Sequence, residues 1–201
     1  MAFSNVVREL FFTIVHSRTL QLIYNADFRR IQPLIAGDGG KWICSPYNLA
    51  GEGCAILSLG INNEISFETE LQSITDNRCE LYAVDKSEQE AAVVKRLESI
   101  NGKFMKGTLG AVLNTTANLI TLDHVIQKYG IKSIEILKID IEDDGYRLDS
   151  SYFSLQEIAK RGYYLFAHEV NMYDSDVCEY SFIHSSCLDK YSAHLLANYL
   201  S

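Results

Sequence analysis

The sequence predicts one doubly wound α/β unit, an open and mostly parallel sheet with helices on both faces. Apolar strand-like runs alternate with helix-length amphipathic segments from Cys54 onward. The run Cys54-Ala-Ile-Leu-Ser-Leu-Gly60 breaks into a polar turn that opens a helix, and Glu80-Leu-Tyr-Ala-Val-Asp85 repeats the form with a terminal carboxylate. With 201 residues, 47% of them hydrophobic, the chain can bury one good core but is too short for two ordinary domains.

Taken in order, residues 4–32 carry apolar side chains at helical spacing, from Val6, Leu10 and Ile14 to Leu20, Ile23 and Phe28. They predict an N-terminal helical extension over 1–36, ahead of the main domain at 37–201. Pro33, Gly37-Asp-Gly-Gly40 and Pro46 interrupt every regular pattern, so 33–53 reads as a loop and the core as starting near Cys54. A βαβαβ unit follows: strand 55–60, helix 64–74, strand 79–84, helix 87–100 and a short strand at 103–107. The second half comprises helix 121–129, strand 134–140, helix 152–161, strands 163–170 and 178–184, and a last helix near 187–199. Ile134-Glu-Ile-Leu-Lys-Ile139 is apolar on both faces in part, as a sheet covered on each side requires. Only Asn171 to Val177 separate the last two strands, which predicts an antiparallel hairpin at one sheet edge.

A net charge of −8 and a pI near 5.1 argue against a broad phosphate-binding surface, so nucleic acid is not an expected partner. Leu10 to Val15 is apolar, but His16 and Arg18 follow at once, and the run is far shorter than a membrane span. Five cysteines, without a Cys-x-x-Cys, indicate neither a zinc ribbon nor a fully paired disulfide set. Most are expected as reduced thiols, with Cys54 and Cys79 as small buried hydrophobes; a Cys178–Cys187 pair would suit a secreted chain. The expected compartment is cytoplasmic.

In an open α/β sheet, nucleotide-like ligands sit beyond the C-terminal ends of the strands, near backbone amides and helix N-termini. Gly60 and Asp85 end two such strands, and a carboxylate at Asp85 suits two ribose hydroxyls. The turn lacks Gly-x-Gly-x-x-Gly spacing, because Asn62 and Glu64 stand where further glycines would be wanted. A pyrophosphate fits badly there, whereas the zwitterionic end of S-adenosylmethionine can use both amides and side-chain oxygens. Helix capping is the plainer role for Asn62 or Asn63, and also for Asp85. Asp140 ends the strand in Lys138-Ile-Asp-Ile-Glu-Asp-Asp144, with Glu142 just above it; either carboxylate could orient a nucleophile or take its proton. His168 ends the next strand, as a base at the same rim or as a structural histidine. Asp140, Glu142 and His168 lack dense ligand spacing, so no metal is expected. No Gly-x-Ser-x-Gly elbow is present.

Five segments together resemble the methyltransferase-like proteins related to the FkbM family, within the S-adenosylmethionine-dependent class I methyltransferases. They are Asp38-Gly-Gly-Lys-Trp-Ile-Cys44, Leu57-Ser-Leu-Gly-Ile-Asn-Asn-Glu-Ile-Ser-Phe-Glu68, Tyr82-Ala-Val-Asp85, Ile120-Thr-Leu-Asp123 and Ile136-Leu-Lys-Ile-Asp-Ile-Glu142. The resemblance implies a seven-stranded Rossmann-like sheet with the cofactor over the ends of its first strands. It places cofactor contacts on Gly60, Asn62 and Glu64 and the ribose contact on Asp85, and Asn63 of the same turn joins them as a candidate contact. The family's Lys-Ile-Asp-hydrophobic-Glu-Gly motif falls on Lys138 to Glu142, with Asp143 where glycine is usual. Related proteins often carry N-terminal membrane anchors. Trp42 is expected to pack against the sheet or to roof the pocket.

These readings converge on an enzyme that transfers a methyl group from S-adenosylmethionine to oxygen or nitrogen of a small molecule, sugar or protein, with Asp140 and Glu142 orienting the acceptor. The rivals are a cofactor-binding or interaction module of the same fold without transfer, and a nicotinamide-dependent oxidoreductase, which the missing glycines support poorly.

Overall fold

The computed structural model describes residues 7–15, 23–24, 28–31, 40–49, 53–110, 112–141, 159–170 and 177–195. Seven strands form the main sheet: β1 (Val7–Val15), β2 (Ala55–Leu59), β3 (Glu80–Asp85), β4 (Gly102–Lys106), β5 (Ile134–Ile139), β6 (Tyr163–Val170) and β7 (Val177–His184). Their spatial order is β6-β7-β1-β5-β2-β3-β4. All neighbours pair in parallel except β7, which runs antiparallel to both β1 and β6. The expected edge hairpin is therefore present as β6 and β7.

Helices α1 (Ser66–Ile74) and α2 (Ala91–Ser99) cover one face, and α3 (Leu122–Tyr129) covers the other. Strand periodicity sorts the side chains. Leu57, Leu59, Val84, Leu137 and Ile139 share a core with Val125 of α3, while Ile56, Leu81, Ala83 and Ile136 pack with Leu71 of α1 and Leu97 of α2. Because β2 and β5 bury both faces, both read as near-continuous apolar runs. Thr121 caps α3, accepting from the His124 amide at 3.1 Å, and Gly130 ends that helix in the left-handed conformation.

The N-terminal helix is a correction. Residues 7–15 form a strand that pairs with β5 on one side and β7 on the other, and so complete the seven-stranded sheet. The spacing of Val6, Leu10 and Ile14 by four misled because four is also an even multiple of the strand period. The β-branched and aromatic run Phe11-Phe-Thr-Ile-Val15 favours the extended form. The loop expected over 33–53 is corrected too: Lys41–Cys44 is a strand paired antiparallel with Phe28–Ile31, and Pro46–Asn48 is a 3₁₀ turn. Ile43, Cys44 and Leu49 are buried, so the core begins before Cys54.

The last helix is replaced, in its described part, by a 3₁₀ turn at Ser185–Cys187 and a two-residue strand, His194–Leu195, paired with Ile23–Tyr24. Cys187, Tyr191 and Ala193 are buried at spacings that one helix face cannot supply. Tyr191 donates its phenol proton to Glu135 Oε1 at 2.6 Å, its carbonyl accepts from Ser45 Oγ at 3.0 Å, and Lys190 pairs with the same Glu135. Of the helix expected at 152–161, residues 159–161 are described: Ala159 and Lys160 are helical and Arg161 lies in the turn that follows.

Cys54 and Cys79 are joined in a disulfide, contrary to the expectation of reduced thiols. They precede adjacent parallel strands in register, Ala55 beside Glu80, which brings their α-carbons to 4.6 Å. The Cys178 side chain lies outside the described residues.

Candidate functional site

Parallel register brings the ends of β2, β3 and β5 side by side. Leu59 lies beside Val84 on one flank and Ile139 on the other, so Gly60, Asp85 and Asp140 emerge together at the C-terminal edge. Gly60 has φ +83°, and its amide donates to the Val84 carbonyl at 2.8 Å. A β-carbon there would meet the Asp140 carbonyl oxygen at 1.9 Å, so the turn and the end of β5 touch backbone to backbone. Asn62 and Asn63 follow in the left-handed region, which asparagine tolerates better than most residues.

Asp85 spans the gap between the two strand ends. Its Oδ2 accepts from the amides of Ile61 and Asn62, both at 2.9 Å, and its Oδ1 accepts from the Ser87 amide at 2.8 Å. Gln89 Oε1 takes the Asn63 amide at 2.6 Å, and Asn63 Oδ1 takes the Glu90 amide at 2.7 Å. The turn amides expected to meet a ligand are thus held by side chains of the neighbouring loop. Asp85 itself is buried, and its principal work in this structure is to fasten the turn.

Glu64 accepts from the Ser66 amide at 2.6 Å and so closes the start of α1. The bonds from Ser66 hold the Glu64 carboxyl below the usual range. Asn62, Asn63 and Glu64 are otherwise exposed at the sheet edge, beside Asp140, whose side chain is 33% exposed. Glu142 and Asp143 lie outside the described residues. His168 lies near the end of β6, two residues before Val170, three strand positions from β5 or roughly 14 Å across the sheet. Its ring stacks at a tilt on Tyr180, 4.9 Å between centroids, so it does not join Asp140. Among the described residues no three metal-ligating side chains cluster. Trp42 is half-buried against the core on the α1 and α2 side, which is the packing role.

Sequence reasoning missed the charges beneath this edge. Lys138 Nζ pairs with Glu68 Oε1 at 3.1 Å and lies 3.9 Å from Asp140 Oδ2. Lys41 Nζ lies 3.4 Å from the same Asp140 oxygen and pairs with Glu179. Ser58 Oγ donates to Glu68 Oε1 at 2.6 Å. The signal was present: Lys138 interrupts an apolar strand, and Glu68 sits between Phe67 and Leu71 on the buried side of α1. A charge on an apolar face needs a partner, but one sequence does not say which.

Burial alone would lower the Lys138 pKa, yet Glu68, Asp140 and Glu179 outweigh it and the value lies above the ordinary 10.5. Burial also pushes the phenols of Tyr82 and Tyr163 well above 10.0. In the folded chain these groups keep protons that the unfolded chain releases near pH 10, so their stabilisation is complete below that pH and is lost above it. The urea midpoint is expected to fall between about pH 9 and about pH 11, and Tyr82→Phe with Tyr163→Phe should flatten the slope. A flat profile in the parent chain would contradict the assignment.

The five parallel strands, the antiparallel β7 and the helices on both faces define a Rossmann-like class I methyltransferase fold. The chain belongs to the methyltransferase domain family, which it matches over residues 23–149, more than half its length. Comparison with curated proteins found no match. No helix among the described residues is long and apolar enough to cross a membrane.

Proposed function

We propose that this chain is an S-adenosylmethionine-dependent methyltransferase of FkbM-like type, acting on an oxygen or nitrogen nucleophile of a small molecule, sugar or protein. The observation that carries the reading is the convergence of the Gly60 turn, Asp85 and Asp140 at adjacent strand ends in a member of a methyltransferase family. The donor set fits this cofactor. Asn62 and Asn63 offer exposed side-chain carboxamides and Glu64 a carboxylate to a zwitterionic end, while both nearby lysines are already engaged by carboxylates and so are poorly placed for a phosphate.

Asp85 would keep Oδ2 on the turn and offer the remaining capacity of Oδ1 to a ribose hydroxyl. When bound, the cofactor supplies a methyl group activated on a sulfonium. This chain contributes positioning: Asp140, with Glu142 on the sequence pattern, would orient the acceptor and receive its proton. Occupation of the turn amides by Asp85 and Gln89 favours a second reading, a binding or interaction module of the same fold without transfer. The expectation of cytoplasmic residence rests on the lack of a clear export signal, the lack of a span and unpaired cysteines; the Cys54–Cys79 bond removes the third ground and favours an oxidising compartment.

Calorimetric titration with S-adenosylmethionine and S-adenosylhomocysteine tests the reading. Asp85→Ala is a poor probe because it would release the turn. Asn62→Gly keeps the left-handed backbone and removes one side chain, and is expected to weaken binding about fivefold to tenfold. Saturable binding with that loss supports the enzyme and justifies an acceptor screen. A folded wild-type chain that binds neither compound overturns the cofactor reading.

A further inference from the structure

Lys138 lies under the candidate cofactor turn in an unusual position for a charged group. It is buried in β5, yet its ammonium reaches three elements at once: Glu68 of α1 at 3.1 Å, the Gly60 carbonyl at 3.5 Å and Asp140 Oδ2 at 3.9 Å. The Phe67 ring, 5.5 Å from the ammonium, closes a further side. The Gly60 backbone is therefore held from both flanks, its amide donating to the Val84 carbonyl of β3 and its carbonyl accepting from Lys138 of β5.

Stability alone does not account for this pair. Burying an ammonium and a carboxylate together costs desolvation that two apolar side chains of similar volume would avoid. The pair is also incompletely satisfied, since Glu68 Oε2 is buried with no hydrogen-bond partner among the described residues. What the ion pair does, and an apolar pair could not, is tie the Gly60 carbonyl and the Asp140 carboxylate to one fixed charge. The same Asp140 oxygen is drawn inward by Lys41 from a second direction, which leaves Oδ1 to face other partners.

We propose that Lys138 and Glu68 are positioning residues of the ligand site: Glu68 fixes the Lys138 ammonium beneath the Gly60 turn, and Lys138 sets the spacing between that turn and the Asp140 carboxylate. The inference rests on the cofactor reading above. It makes the lysine that opens the Lys138-Ile-Asp140 segment a support for the cofactor turn rather than a group that touches the acceptor.

The test is a cycle of Lys138→Met, Glu68→Gln and the double variant, with thermal midpoint and S-adenosylmethionine affinity measured on each. Lys138→Met leaves the Glu68 carboxylate buried without its cation, and Glu68→Gln leaves the Lys138 ammonium with only the longer ion-pair contact to Asp140, so both should lower the midpoint; the double variant removes both charges and should recover most of it. A positioning role predicts that affinity stays at least tenfold weaker in the double variant while the midpoint returns. Recovery of affinity together with stability overturns the proposal and leaves a merely structural pair. Should the double variant not fold, Lys138→Arg decides, because it keeps the charge but moves the donors away from the Gly60 carbonyl. Weakened binding at an unchanged midpoint supports the proposal, and wild-type affinity overturns it. A wild-type chain that fails to bind S-adenosylmethionine instead overturns the cofactor reading itself, and this inference falls with it.

Discussion

Gly60→Ala is expected to destabilise the chain by about 2 to 5 kcal/mol and to abolish ligand binding at the β2 edge. The left-handed backbone alone disfavours an L-residue by about 1 to 2 kcal/mol. The remainder comes from contact: the new β-carbon would lie 1.9 Å from the Asp140 carbonyl oxygen and 2.7 Å from its carbon. That strand end cannot retreat freely, because the Asp140 amide donates to the Leu59 carbonyl at 2.8 Å. Forcing it apart adds about 1 to 3 kcal/mol, on the scale of overpacked cores. Gly130→Ala is the matched control, since its φ is +65° but nothing lies within 4 Å of the added carbon. Urea unfolding of both variants checks the argument. Equal losses would mean that the close approach of turn and strand is not a constraint.

Removing the Cys54–Cys79 bond, by Cys54→Ala with Cys79→Ala, is expected to cost about 3 kcal/mol. The bond closes a loop with a sequence separation of 25, and its constraint acts mainly on the unfolded chain. For a chain of this size the thermal midpoint should drop by roughly 6 to 12 °C. Ligand affinity in the folded variant should change less than about twofold. The bond lies at the N-terminal ends of β2 and β3, roughly 20 Å along the strands from the Gly60 edge. Non-reducing peptide mapping of the secreted and the cytosolically expressed chain shows whether the bond forms in each. Two free thiols in the chain from an oxidising compartment would refute the pairing and remove the argument about compartment.

Much of this fold was legible because its central strands are buried on both faces. Ala55–Leu59, Glu80–Asp85 and Ile134–Ile139 announce themselves as short apolar runs bounded by turn residues, and their helices follow by amphipathic spacing. The antiparallel β7 was legible from the short connection after β6, which is too brief for a crossover helix. Residues 7–15 were misread because a spacing of four satisfies both the helix and the strand period. Only a vacant place between β5 and β7 chose between them.

Of the candidate site, the sequence by itself determined the edge: which strands end in Gly60, Asp85 and Asp140, and that no glycine-rich pyrophosphate loop follows. Those facts are local, since strand ends and turn residues are written in consecutive positions. Tertiary structure decided what each group is bonded to. Asp85 spends Oδ2 on the Ile61 and Asn62 amides, Cys54 meets Cys79, and Lys138 finds Glu68 and Asp140. Such partners are far apart in the chain, and strand register, which depends on how the whole sheet packs, sets the few ångströms that choose one from another.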